Sequence, residues 1–250
     1  MTQGSDLKIF CPSKGRHDRV LTTSLVNDLL LLVPDNEVDA YKEYNPNNEV
    51  IGTPSDVKGI TATKQWLFDN FDSWFTIDDD VKQVVKMYEK PEKDSAIFDA
   101  DYITDIIYRL HDMAVQLDAK MFGFTKERNP LMYVSQKPFQ FSGYMNSSHF
   151  GVIKNHKLFY NLDMNEGEDH WLSCLNAYKN RYFLMDMRYA FFTKDNFMAR
   201  GGCNDYRTED DMKKNTILLR KHFGSVVKLK MPGHARKKIN LGERSISIPL

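Results

Sequence analysis

Three consecutive carboxylates, Asp78-Asp79-Asp80, follow directly on the mostly apolar run from Trp74 to Ile77. The run reads as the end of a buried strand. Its acidic tip cannot enter a dry core alone, because an unpaired buried carboxylate costs on the order of several kcal/mol and needs water, a cation or a metal beside it. Carboxylates at alternate positions, here Asp78 and Asp80, suit a hard divalent cation that takes oxygen ligands and shares them with phosphate. Asp79 between them is free to point elsewhere and pair with a neighbouring cation. A solvated acidic turn is the plain alternative, and the triplet in isolation favours it.

Two other groups bear on that choice. Pro12-Ser13-Lys14-Gly15-Arg16 is a turn with two basic side chains directly after the apolar run Leu7 to Cys11. Glu166-Gly167-Glu168-Asp169-His170-Trp171 opens a predicted helix to about Asn180, with its carboxylates in the first turn, where the helix dipole favours them by about 0.3–1 kcal/mol. That placement alone is an ordinary structural reason for the pair. A basic loop beside an acidic one is what a metal–diphosphate requires: Lys or Arg for the phosphate oxygens, Asp for the cation.

The elements that must position these groups alternate. Leu7–Cys11, Leu29–Val33, Glu49–Gly52 and Ser73–Ile77 read as strands. Helices are expected at about Asp18–Asp28, with Thr22 and Thr23 on the surface, at Asn36–Tyr44 and at Ile60–Phe71, where Ile60, Lys64 and Phe68 share one spacing. Strand–helix alternation predicts a mainly parallel sheet with helices on its faces, and ligands bind beyond the carboxyl ends of such strands. The basic turn and the acidic tip should therefore open on one edge. Further on, Val84–Tyr88 reads as a strand, and Asp99–Lys120 as a helix whose Ile103, Ile106, Ile107, Leu110, Met113, Ala114 and Leu117 form a core-facing stripe. Met132–Val134, Phe139–Phe141 and Gly143–Val152 read as strands and loops. Arg181–Thr193 is strand-rich, Thr208–Phe223 a helix, and Val226–Met231 the last strand.

With 250 residues, 42% hydrophobic and 27% charged, the chain has the composition of a folded globular protein of one large or two small domains. It has no apolar run of transmembrane length, and Met1–Asp6 lacks signal-peptide character, so no membrane association and a cytoplasmic location are expected. Cys11, Cys174 and Cys203 are too scattered for a metal or disulfide framework, and reduced, mostly buried thiols are expected. Net charge is zero, but residues 1–110 hold 12 Lys/Arg against 20 Asp/Glu, and residues 212–244 hold ten Lys/Arg against Glu243 alone. Such a basic stretch can meet nucleotide or nucleic-acid phosphate, or simply form a solvated face.

The segments Ile9–Arg16, Phe75–Asp80, Gly143-Tyr144-Met145-Asn146 and Gly167-Glu168-Asp169 resemble the TET-associated glycosyltransferase family, within the nucleotide-sugar glycosyltransferases of GT-A type. The resemblance extends roughly from Leu7 to His234. It implies an α/β GT-A fold: a Rossmann-like, mainly parallel mixed sheet flanked by helices, in one domain spanning 1–250. Residues 1–82 would be its nucleotide-binding half and 130–250 its acceptor-binding half. The implied reaction moves a hexose or pentose from a UDP-sugar to the hydroxyl of a hydroxymethylated pyrimidine, or of its sugar adduct, in phage DNA, placing the protein in the host cytoplasm.

The resemblance also implies residue roles. Pro12, Ser13, Lys14, Gly15 and Arg16 match the base and ribose pocket, joined by Asp78, Asp79 and Gly151, the last in a glycine-bearing segment Ser148–Gly151 beside the donor sugar. Asp80 and Asp78 would hold Mn²⁺ or Mg²⁺. His234 matches a late metal-binding histidine that would favour Mn²⁺, with His222 as its rival. Glu168 and Asp169 match the acceptor-side carboxylates, Asp169 being the general base if the enzyme inverts. Inversion and retention both remain open, as does the oligomeric state. The same fold with a protein, glycan or small-molecule acceptor is the alternative, and a non-catalytic nucleotide- or DNA-binding module is the third reading.

Overall fold

A computed structural model describes residues 7–89, 95–127, 129–164, 167–193, 209–229 and 244–248. The strands are β1 (Lys8–Pro12), β2 (Leu29–Pro34), β3 (Val50–Thr53), β4 (Trp74–Ile77), β5 (Val81–Lys86), β6 (Ala96–Ile97), β7 (Met121–Thr125), β8 (Phe139–Gln140), β9 (His149–Val152), β10 (Leu184–Thr193), β11 (Val227–Leu229) and β12 (Arg244–Ile246). The helices are α1 (Val38–Tyr44), α2 (Gly59–Asn70), α3 (Ala100–Gln116), α4 (Glu168–Asn180) and α5 (Glu209–Phe223).

One ten-stranded sheet runs β3-β2-β1-β4-β9-β7-β10-β5-β6, with β8 added on β10. The strands β3, β2, β1 and β4 are parallel throughout. Beyond β4, strand β9 runs antiparallel to both β4 and β7. Strand β10 lies parallel to β7 and antiparallel to β5. A separate two-stranded ribbon joins β11 to β12.

Alternation along the strands divides the apolar side chains between two cores, as a sheet covered on both faces demands. Ile9 and Cys11, Leu29, Leu31 and Val33, Phe75 and Ile77, and Phe122 and Phe124 enter one core, which α3 closes with Ile103, Ile107, Leu110 and Ala114. Phe10, Leu32, Trp74 and Met121 enter the other, closed by Leu67 of α2, Trp171, Leu172 and Leu175 of α4, and Leu219 of α5. Asp99 caps α3 by accepting a hydrogen bond from Tyr102 N at 3.2 Å. Cys11 and Cys174 are buried free thiols. Among the described residues no helix is long and apolar enough to cross a membrane.

The structure adds strands β6 and β7, absent from the sequence expectations, and departs from those expectations in three further segments. Between β1 and β2 there is only a 3₁₀ turn, Thr22–Ser24, instead of a helix over 18–28, and Thr22 is fully buried, not on a surface. That stretch satisfies backbone groups of the acidic tip instead of its own: Thr22 Oγ1 donates to Asp78 O at 2.6 Å and accepts from Val81 N at 3.3 Å, and Leu21 N donates to Asp79 O at 2.9 Å. Residues 132–134 are not a strand. Asn129 caps a 3₁₀ turn at Pro130–Met132, accepting from Leu131 N at 3.1 Å, and Tyr133 packs on Val85 and Ala190 without joining the sheet. Third, β12 supplies a partner for β11 from the basic tail.

Gly151, expected beside the donor sugar, has a packing reason of its own. It lies in β9 opposite Phe75, two residues in from the strand tip where His149 pairs with Ile77. A Cβ there would stand 2.4 Å from Phe122 Cζ and 2.7 Å from the Trp74 carbonyl oxygen. The glycine is explained by packing between neighbouring strands. Gly151→Ala is therefore expected to destabilise the fold by about 1–3 kcal/mol through overpacking. In urea unfolding, Phe122→Leu in the same chain should recover part of that loss. An unchanged midpoint in the single variant would contradict the packing role.

Candidate active site

The basic turn and the acidic tip meet because β1 and β4 are parallel neighbours, with Lys8, Ile9 and Phe10 paired to Trp74, Phe75 and Thr76. Arg16 Nη1 lies 2.7 Å from Asp79 Oδ1, and Ser13 Oγ donates to Asp79 Oδ2 at 2.5 Å. Asp79 is thus a buried carboxylate neutralised from the first loop. Tyr41 of α1 reinforces the join: its hydroxyl is 2.7 Å from Ser13 Oγ and accepts from Arg16 N at 3.0 Å. Burial pushes that phenol up to about 12, so it stays protonated. Gly15 takes the left-handed conformation, φ +66°, which presents its N–H to Glu37 Oε2 at 2.7 Å. Pro12 is buried beneath this loop, whereas Lys14 projects into solvent.

Asp78 faces away from this lock. Its backbone N–H donates to Ser148 O at 2.8 Å, extending the β4–β9 pairing by one step. Burial, reinforced by Asp80, Asp79 and Glu168, raises its carboxyl to about 7 against the opposing pull of Lys64. Lys64 itself is buried, 2% exposed, and donates to Ser147 O at 2.6 Å. Its place on the inward face of α2 is the signal, visible in its spacing with Ile60 and Phe68, by which this cation could have been found from sequence.

Segment 144–149 also reaches α4. Tyr144 donates a short hydrogen bond from its hydroxyl to Asp169 Oδ2, while Asp169 Oδ1 accepts from His170 N at 2.8 Å and lies 3.0 Å from His170 Nδ1. Burial alone would raise the Asp169 carboxyl, but His170 and Tyr144 hold it below the usual carboxylate range. Ser173 Oγ donates to Asp169 O at 2.8 Å and accepts from Met145 N at 3.0 Å, fastening the segment to the helix start. Glu168 is buried on the side of Asp78, and Tyr160 lies under Glu168, Asp169 and Asp78 together, its phenol raised by burial and by all three. The acidic tip and the Glu-Asp helix start therefore line one site.

His149 occupies the tip of β9, 1% exposed, with Nδ1 2.7 Å from Ser148 Oγ and its ring stacked on Phe191 at 5.3 Å. Burial, with the Lys126 and Lys64 charges, lowers its ring to about 4. His222 packs on Trp171 at 5.0 Å, at the far end of α5. His234, Gly201, Gly202 and Cys203 lie outside the described residues. Among the described residues, no group of three His, Cys, Asp or Glu side chains is arranged to hold a metal ion.

A buried histidine lowered in the fold binds fewer protons there than in the unfolded chain. Stability it contributes above pH 6.5 is thus lost as pH falls toward about 4. Across that window His149→Gln should flatten the pH dependence of urea-unfolding free energy by about 3 kcal/mol. Parallel curves for variant and wild type would contradict the assignment.

Comparison with known proteins agrees with this geometry. The family profile described as TET-Associated Glycosyltransferase matches residues 7–202. A crystal structure of S. aureus TarS 1-349 superposes with a TM-score of 0.51 at 7% identity, covering 86% of this chain. TarS 1-349 in complex with UDP-GlcNAc gives 0.52 at 6% identity, covering 84%. This chain spans 64% and 65% of those two chains, less than two thirds. Identities so low establish the fold, and the expected GT-A architecture is the one observed. Comparison with curated protein sequences yields no match.

Proposed function

Because the chain belongs to the TET-associated glycosyltransferase family, we propose that it transfers a sugar from a UDP-sugar to the hydroxyl of a hydroxymethylated pyrimidine in DNA. The observation that carries this reading is the convergence of three chain segments on one sheet edge: the Ser13–Arg16 loop, the Asp78–Asp80 tip and the Glu168-Asp169 helix start. They provide cationic, metal-binding and basic groups in one place, which the transfer requires. The superposition on TarS bound to UDP-GlcNAc supports a uridine donor.

In this reading Ser13 to Arg16 border the nucleotide, with Asp79 acting as their anchor. Asp78 and Asp80 are hard oxygen donors in a site where burial, with the neighbouring carboxylates, raises Asp78, a setting that fits Mg²⁺ or Mn²⁺. Two protein carboxylates suffice where a substrate diphosphate and water complete the shell. When bound, the cation would stabilise the charge that grows on the departing diphosphate. Asp169, ionised and at the rim, takes the acceptor's proton as the acceptor oxygen bonds to the sugar's anomeric carbon. The bond from that carbon to phosphate oxygen breaks, and its electron pair leaves with UDP. A low-pKa carboxylate removes this proton late, once bond formation has acidified the hydroxyl. Displacement of Tyr144 or His170 by the acceptor would raise the basicity of Asp169 at that moment. The basic side chains of α5, Arg220 and Lys221 among them, offer phosphate contacts consistent with a polyanionic acceptor.

A panel of UDP-sugars with Mn²⁺ and DNA containing 5-hydroxymethylcytosine, read by nucleoside mass spectrometry, tests the proposal directly. A mass gain on the modified nucleoside is expected, and transfer only to a protein, glycan or small molecule would refute the DNA acceptor. Asp80→Asn should abolish transfer with an unchanged circular dichroism spectrum, as should chelation of wild type. Full activity in either would remove the metal role. Asp169→Asn is expected to lower kcat by about 10²–10⁴ with a smaller change in donor KM. A wild-type kcat would transfer the base role to another group.

A further inference from the structure

A cavity of about 320 Å³ opens at Tyr144, floored by Met185 and Met187 of β10, walled by Tyr144, Asn146 and Gln140, and edged by the charged side chains Lys126 and Glu127. It is joined to both ends of the site already described. Tyr144 hydrogen-bonds Asp169. Asn146 Oδ1 accepts from Ser148 N at 2.7 Å, and Ser148 O in turn accepts from Asp78 N at 2.8 Å. A molecule seated here therefore lies along the strip that connects the acceptor-side carboxylate to the acidic tip.

The thioethers of Met132, Met185 and Met187 and the Tyr144 ring offer flat, polarizable surface. Local bonds then fix which polar atoms remain. Gln140 spends its Nε2 on Ser142 O at 2.6 Å, which leaves Oε1 as an acceptor. Asn146 spends Oδ1, which leaves Nδ2 as a donor. These amide groups, with the Lys126 ammonium and the Glu127 carboxylate on the same wall, set donors and acceptors between flat surfaces, as the edge of a heterocyclic base requires. The volume is at the small end for ligand pockets, roughly 300–1,000 Å³, enough for one base with its substituent and not for a base pair. At the mouth, Leu131 and Met132 stand 86% and 61% exposed, apolar side chains of the kind that enter a stack where a base has left it.

Resting on the DNA-acceptor reading, we propose that this cavity receives a single pyrimidine of the acceptor, extruded from its stack, and presents its hydroxymethyl group to Asp169. Extrusion is the step that brings a substituent of a stacked base to a carboxylate inside a protein.

The test uses full-length protein, UDP, and duplex DNA with 2-aminopurine next to 5-hydroxymethylcytosine. Wild type should raise 2-aminopurine fluorescence several-fold as the neighbouring base unstacks. Met187→Trp, which fills the cavity, should abolish that rise and sugar transfer to DNA while leaving the Kd for UDP within twofold. Gln140→Met, similar in volume and on an edge strand, provides a second variant should the first fail to fold, with an expected tenfold or greater rise in acceptor KM. Transfer to DNA without a fluorescence rise, or wild-type acceptor kinetics in both variants, would overturn the proposal. Titration with 5-hydroxymethyl-2′-deoxycytidine separates it from the reading beneath it. Nucleoside binding by wild type that Met187→Trp loses supports the cavity even if no sugar reaches DNA, and absence of binding by wild type overturns the cavity assignment whatever the reaction.

Discussion

Like-charge repulsion at one sheet edge is the constraint to which the rest of this structure answers. Asp78, Asp79, Asp80 and Glu168 stand close enough to influence one another, and carboxylates crowded in this way cannot all ionise unaided. The fold divides them. Asp79 is neutralised within the protein by Arg16 and Ser13. Asp78 is left with Lys64 as its principal counter-charge, and that ammonium is shared with a backbone carbonyl. The central residue of the triplet is thus tied into the first loop, while Asp78 lies under the influence of Lys64. Breaking the Arg16–Asp79 pair would leave a further buried carboxylate uncompensated, an unequal exchange in a low-dielectric site.

Segment 144–149 converts that local arrangement into a connected site. Tyr144, Met145, Ser147 and Ser148 reach, in turn, the Asp169 carboxylate, the Ser173 hydroxyl, the Lys64 ammonium and the Asp78 amide. Two of these bonds fall on α4, one on α2 and one on the residue that follows β4, so the strip fixes these three elements relative to one another. It does so largely through backbone atoms, which explains why its sequence gives little warning of its role.

What could be read in advance follows from the range of the interactions. The strands β1 to β4, the stripe of α3 and the carboxylates of α4 are written in local periodicity and capping, and they are found where that pattern puts them, except that α3 ends at Gln116 and leaves Leu117 exposed. The opposed basic and acidic loops followed from parallel pairing alone. The Thr22 bonds to the tip, the Tyr144–Asp169 bond and the Lys64–Ser147 bond join residues 25 to 83 positions apart, and no local pattern records them. Residues 18–28 show the cost of that blindness: their helical spacing is overridden because the tip's backbone groups, turned away from any strand partner, need donors and acceptors. Gly151 shows the limit of a local signal from the other side: a lone glycine marks a close approach, and only the sheet shows that Phe122 and the Trp74 carbonyl make it.

The glycine in β9 has a further consequence for how this site can change over time. Flanked by the Phe122 ring and the Trp74 carbonyl, it acts as an indexing notch: sliding β9 by even one residue would bring Phe150 or Val152 to a place that admits no side chain. Insertions or deletions within 144–151 would therefore break the spacing between Asp169 and Asp78, which this segment bridges.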